Sequence, residues 1–274
     1  MRVYCDCLGR SVDLPDRPQR IVSLVSSATE ALAAIGCLDR IVGVSSYCSR
    51  YVPNLSAPVV GDYLSVDEEL LRDLAPDLVL TTTGVQRGVG KGLSHDGFPV
   101  FAIPLPNSLH GILEGVMLLG ALVGEMNAAR DLVRRWAAHF DALRAASPPA
   151  RPRIYAELWF GAHQRTPGGL TFIHDLLEAA GASPIFGDVA QSYLTVDVNE
   201  VERRAPEVIV VFSEPEYPVD SAALLRERGW SSTLKNLAVI ESSVERGRNV
   251  IHDGPSMMET ATWLHGRIGE VLAQ

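Results

Sequence analysis

Apolar positions in the first hundred residues come in short runs of two kinds. Arg20-Ile21-Val22-Ser23-Leu24-Val25 is a continuous run of strand length, Thr29 to Ile35 has helical spacing and is closed by Gly36, and Ile41 to Val44 is strand-like again. Leu70, Leu71 and Leu74 predict a helix over Asp67 to Leu74, which Pro76 ends before a strand at Leu78 to Thr81. Pro99 to Ile103 supplies a further strand. The alternation predicts a mostly parallel sheet with helices on both faces.

The middle of the chain is helical throughout. Ser108 to Val123 reads as one apolar helix, and after Gly124 a second runs from about Glu125 to Ala146, with Leu132, Trp136, Phe140 and Leu143 on one stripe. At 1.5 Å per residue this second helix is about 30 Å long, enough to brace two lobes. Ser147-Pro148-Pro149-Ala150-Arg151-Pro152 breaks it. The α/β alternation resumes with Ile154 to Leu158, Phe172 to Ala180, Glu207 to Phe212, Ala238 to Glu241 and a last helix from about Pro255. The expected division is an N-terminal α/β lobe over 1–122, a linking helix over 123–148 and a C-terminal α/β lobe over 149–274.

An internal repeat supports two lobes of one plan. Tyr63-Leu64-Ser65-Val66-Asp67 recurs as Tyr193-Leu194-Thr195-Val196-Asp197, and Ala75-Pro76-Asp77-Leu78-Val79-Leu80 recurs as Ala205-Pro206-Glu207-Val208-Ile209-Val210. Both pairs share one offset. In each lobe a tyrosine precedes N-cap residues of a short helix, Ser65/Asp67 or Thr195/Asp197. Two such lobes make a cleft, in which Tyr63 and Tyr193 can clamp a large flat ligand by stacking.

Loops after strands add Tyr47, Trp159, Arg165 and His252, the last in Ile251-His252-Asp253-Gly254-Pro255, where a neutral imidazole can ligate a metal centre. The other histidines lack metal spacing. Gly84 to Gly92 is glycine-rich but matches neither a dinucleotide fingerprint nor a phosphate loop, and a mobile loop is expected there. Ser232 to Lys235 is a Ser-x-x-Lys spacing of a kind common by chance. No nucleophile with its base is found, so the reading is a binding protein without catalytic residues or a required cofactor. Glu68/Glu69 and Glu200/Glu202 sit in the first turns of the repeat-related helices, where they suit the helix dipole or dock onto arginines of a partner.

Charge narrows the partners. With 24 Lys and Arg against 33 Asp and Glu the net charge is -9, and the pI is near 5.3, which argues against nucleic acid. No apolar stretch reaches the roughly 20 residues that cross a bilayer. The start, Met1-Arg2-Val3-Tyr4-Cys5-Asp6-Cys7, has no apolar export core and leads into a strand and turn. A cytoplasmic location is expected if Met1 is the true start, and an extracytoplasmic one if an export segment precedes it. The four cysteines read as reduced thiols, with Cys5 and Cys7 able to face one side of a strand.

Several segments together resemble the helical-backbone metal-receptor group of ABC-transporter substrate-binding proteins, nearest its vitamin B12 branch. They are Leu8-Gly9-Arg10, Pro18 to Leu24, Ser27-Ala28-Thr29-Glu30, Gly43 to Tyr47, Leu74 to Val79 and the long central helix. The resemblance implies two Rossmann-like lobes joined by a long backbone helix, the class III periplasmic-binding-protein plan, and glutamates that dock onto an ABC permease. Glu69 matches the first docking position; at the second, Asn199 stands in place and Glu200 follows it. Tyr47 and Tyr63 match aromatic ligand positions, with tyrosine for tryptophan at 63 and again at 193, and His252 stands where many relatives have arginine. The implied ligand is cobalamin or a related corrinoid, with a ferric siderophore or haem as the alternative. Haem-binding relatives carry their iron-ligating tyrosine where this chain has Asp62. An enzyme acting on a metal tetrapyrrole is the alternative of another class.

Overall fold

A computed structural model describes residues 1–147, 149–234 and 236–273. Pro148, the last residue of the predicted linking segment, and Lys235, of the Ser-x-x-Lys spacing, lie outside the described residues. The chain forms two compact units, Met1–Pro106 with His110–Arg135 and Asn107–Leu109 with Trp136–Gln274.

The first unit opens with an antiparallel hairpin, β1 (Arg2–Cys5) and β2 (Arg10–Asp13). There follow β3 (Ile21–Ser23), α1 (Ser26–Ala34), β4 (Ile41–Ser45), β5 (Val59–Gly61), α2 (Glu68–Asp73), β6 (Leu78–Thr82), α3 (Arg87–His95), β7 (Val100–Ile103), α4 (Leu109–Leu122) and α5 (Met126–Ala146). The division between the units falls inside α5. Strands β5-β4-β3-β6-β7 form one all-parallel sheet in that order. Val22, Leu24, Val60, Leu71, Val79, Leu93 and Val100 are buried together along it, and each such side chain contributes about 1.5–3 kcal/mol. The hairpin covers the β7 edge, because the Cys5 thiol meets the backbone N–H and C=O of Ala102 at 3.4 and 3.6 Å. All four cysteines are free thiols, and Cys7 lies in the hairpin turn instead of continuing the strand.

Gly84 to Gly92 is not a mobile loop. It forms a short 3-10 turn and then α3, anchored by Val89 and Leu93 at helical spacing. Gly90 serves close packing: a Cβ there would stand 2.8 Å from the Thr81 hydroxyl on β6. The buried Gln86 side chain locks the turn, accepting from the Thr82 N–H and donating to the Leu24 carbonyl, both at 3.0 Å.

The second unit contains β8 (Arg153–Phe160), β9 (His163–Pro167), α6 (Phe172–Ala179), β10 (Ser183–Pro184), β11 (Tyr193–Leu194), α7 (Val198–Arg204), β12 (Val208–Ser213), α8 (Ser221–Glu227), α9 (Trp230–Thr233), β13 (Ala238–Ser242) and α10 (Met257–Leu272). Strands β8, β12 and β13 run parallel, β10 pairs in parallel with the start of β8, and β9 and β11 extend the sheet antiparallel beyond its end.

The repeat is visible in the backbone of each unit. Asp67 caps α2 by accepting from Leu70 N–H, and Asp197 caps α7 by accepting from Asn199 and Glu200 N–H; Ser65 and Thr195 do not cap. Ala75 and Ala205 both take the left-handed conformation, with φ of 41° and 42°. In the first unit Arg20 Nε donates to the Leu74 and Ala75 carbonyls while Asp77 accepts from the backbone N–H of Gln19 and Arg20. In the second, Arg153 Nε donates to Arg204 and Ala205 carbonyls while Glu207 accepts from Arg153 N–H. Arginine satisfies the carbonyls left over where the helix stops.

Candidate functional site

Strand order places β3 beside β6, the point where the chain reverses its direction of travel across the first sheet. Open α/β sheets bind ligands outside the carboxyl ends of their strands at such a point. Tyr47 follows β4 and Tyr63 follows β5, so both leave the sheet at that end. Their rings stack with centroids 4.5 Å apart and planes 13° from parallel. The 3-10 turn Cys48–Arg50 brings the Arg50 guanidinium over the Tyr47 ring, 5.1 Å from its centroid. Arg50, Tyr47 and Tyr63 therefore form one column, and the Tyr63 hydroxyl reaches the Ser26 hydroxyl at 3.4 Å.

The loop beneath Tyr63 is rigidly specified. Asp62 accepts from the N–H groups of Leu64 and Ser65 at 2.7 and 2.8 Å, and these bonds hold its carboxyl below the ordinary aspartate range. Gly61 takes φ of 155°, and a Cβ there would lie 2.2 Å from the Ser65 carbonyl oxygen, so only glycine fits.

In the second unit the register of β8 and β9 decides which side chains meet. Trp159 stands opposite Gln164, Leu158 opposite Arg165 and Phe160 opposite His163, while Tyr193 on β11 stands opposite Pro167. Side chains alternate along a strand and paired residues share a face. Arg165 and Tyr193 therefore share a face with Phe160, whose ring meets Tyr193 edge-on at 6.1 Å. Trp159 lies on the opposite face. Its indole N–H donates to Glu157 at 2.9 Å, and its ring packs against the cluster of Tyr155, Phe186, Ile209 and Trp230. The structure thus gathers Arg165 and Tyr193 without Trp159 and adds Phe160, one residue further along, which the sequence reading passed over.

Tyr193 is 43% exposed, and partial shielding of its phenol together with the Asp253 carboxylate raises it above its ordinary value. His252 itself is only 5% exposed. Among the described residues no group of three or more His, Cys, Asp or Glu side chains is placed to hold a metal ion.

Glu157 accepts four hydrogen bonds in this unit. It is fully buried and accepts from Tyr155 hydroxyl, Trp159 indole and both terminal nitrogens of Arg228. Burial and the Glu157 charge push the Tyr155 phenol well above its usual range, so it stays neutral and donates. The two candidate docking carboxylates differ. Glu69 is exposed in the first turn of α2, whereas Glu200 is held by Arg203 and Arg204.

The periplasmic binding protein family model matches residues 21–242. A cobalamin-binding protein of Halobacterium salinarum is 31% identical over 213 residues, covering 75% of this chain and 57% of that relative's length. This chain thus spans little more than half of that relative. The periplasmic haem-binding protein of Roseiflexus sp. RS-1 superposes with a TM-score of 0.78 at 22% identity, over 93% of this chain and 99% of that one. The periplasmic vitamin B12 binding protein of Vibrio cholerae superposes with a TM-score of 0.72 at 21% identity, over 95% and 100%. At these identities the two superpositions establish fold. Among the described residues no helix is long and apolar enough to cross a membrane.

Proposed function

The chain belongs to the periplasmic binding protein family, and on that premise we propose that it binds a corrinoid, cobalamin or a close relative, without transforming it. The observation that carries the reading is the stacked Tyr47–Tyr63 pair at the carboxyl end of the parallel sheet. It offers a flat, apolar surface with polar hydroxyls at its rim, suited to a large planar macrocycle bearing amide side chains. The likeness to a cobalamin-binding protein over three quarters of the chain supports the same ligand. The role is that of the substrate-binding component of an uptake system. Glu69 is then the carboxylate that pairs with a permease arginine, and Glu200 joins only by exchanging Arg203 and Arg204 for a partner's cation.

Haem is the second reading, favoured by the likeness to a haem-binding protein. Asp62 weakens it, because a carboxylate whose Oδ1 accepts from the turn before α2 stands at the position before Tyr63, where no tyrosine is present to ligate iron. The test is an absorbance titration with aquocobalamin and, separately, with ferric haem. Saturation by aquocobalamin at one equivalent, with colour retained after desalting and lost in Tyr63→Ala, supports the corrinoid. A flat corrinoid titration beside a saturating haem one reverses the order.

A further inference from the structure

The arginines shielded over most of their surface are Arg40, Arg165, Arg204, Arg228 and Arg267. Arg40 pairs with Glu125, Arg204 with Asp188 and Glu200, Arg228 with Glu157, and Arg267 with Glu270. Among the described residues Arg165 has no such partner. Among the described residues its guanidinium makes one hydrogen bond, from Nη1 to the Gln164 carbonyl at 2.7 Å. A guanidinium stays charged at any relevant pH, and shielding it without a counter-anion is unfavourable. Shortage of acids is not the reason, since the chain carries 33 of them. The register puts this unmatched cation on the face that bears Phe160 and Tyr193.

We propose that Arg165 recognises an oxyanion carried by the ligand; on the corrinoid reading above, on which this identification rests, the oxyanion is the phosphodiester of the nucleotide loop. The Gln164 carbonyl fixes the guanidinium plane and leaves the remaining donors to form the paired bonds that suit phosphate or carboxylate. Arg165 is thereby the residue that separates complete corrinoids from those lacking the nucleotide.

The test compares cyanocobalamin, which has the phosphodiester, with dicyanocobinamide, which lacks it, and ferric haem with its dimethyl ester, in which the propionates are neutral. Wild type is expected to bind cyanocobalamin about tenfold or more tighter than cobinamide, the ratio one charge-assisted bond supplies. Arg165→Gln removes that preference by weakening cyanocobalamin alone, and Arg165→Lys restores part of it, because the charge returns without the fork. Equal weakening of both corrinoids, or of neither, overturns the assignment. If wild type binds neither corrinoid, the corrinoid reading falls by itself and the haem pair decides: a preference for haem over its ester that Arg165→Gln abolishes keeps the oxyanion role. Equal binding of haem and ester, or binding of none of the four, ends it.

Discussion

Arg228→Ala is expected to destabilise the second unit more than any loss of a surface ion pair. Glu157 is 0% exposed and the Arg228 side chain 9%, so neither charge is solvated in the folded protein. Removing Arg228 takes two of the four hydrogen bonds from the carboxylate and its only counter-charge among them, leaving the Tyr155 hydroxyl and the Trp159 indole. It also takes the cation from the Trp230 face, 4.8 Å away. An orphaned buried charge costs about 3–5 kcal/mol. For a chain of this size that lowers the melting temperature by about 6–20 °C. Differential scanning calorimetry at neutral pH reads it directly. The same logic expects the double replacement Glu157→Leu with Arg228→Met to recover much of the loss, because a well-packed apolar pair escapes the desolvation penalty. A single variant melting within about 2 °C of wild type, less than 1 kcal/mol by the same scaling, would refute the claim that this pair is buried and mutually dependent.

Three further outcomes are expected. Gly120→Ala sets helix propensity, which favours alanine by up to about 1 kcal/mol, against a Cβ placed 2.4 Å from the Ala129 Cβ; overpacking of about 1–3 kcal/mol should win, and a raised melting temperature would show that α4 and α5 are less closely set. Hydrogen bonds from Arg40 and Arg17 hold the Glu125 carboxyl below its ordinary value, so its contribution is present above the unfolded glutamate pKa of about 4.3 and fades as pH falls through the lowered folded one. Wild type should therefore lose stability on acidification more steeply than Glu125→Gln, and parallel pH profiles would contradict this. His252→Ala should leave the absorbance band of bound aquocobalamin unchanged, since the ring is buried; a band shift lost with the imidazole would make His252 a cobalt ligand instead.

The sequence exposed those parts of the fold whose signals are local. Continuous apolar runs marked β3, β6 and β12, period-3.6 spacing marked α2 and α5, Gly36 and Pro76 marked stops, and the duplicated Tyr and Ala-Pro motifs disclosed a plan shared by the two units. Signals that depend on pairing stayed hidden. The glycine-rich segment before β7 reads as a loop by composition, yet it is a helix whose Gly90 packs closely against Thr81. Glu157 and Arg228 lie 71 positions apart, a separation that no spacing rule spans. Trp159 and Phe160 are adjacent aromatics at the end of one strand, and only the register with β9 tells which faces Tyr193. A shift of one residue exchanges their roles.

The two units also show where duplication stops constraining the chain. At the amino ends of the strands they use the same device residue for residue: Arg20 or Arg153 on the last helix carbonyls, a left-handed alanine, and Asp77 or Glu207 on the backbone of the strand entry. There a helix stops and hands its carbonyls to an arginine donor before the strand begins. At the other end the copies diverge. The first presents two stacked tyrosines under an arginine whose charge rests on a ring, and the second presents an edge-on Phe160–Tyr193 pair beside an arginine whose charge has no carboxylate. The carboxyl end of the first unit offers stacked aromatic rings, and that of the second a cation without a carboxylate. The corrinoid reading and the Arg165 assignment both draw on that asymmetry, and the comparison of cobalamin with cobinamide separates them.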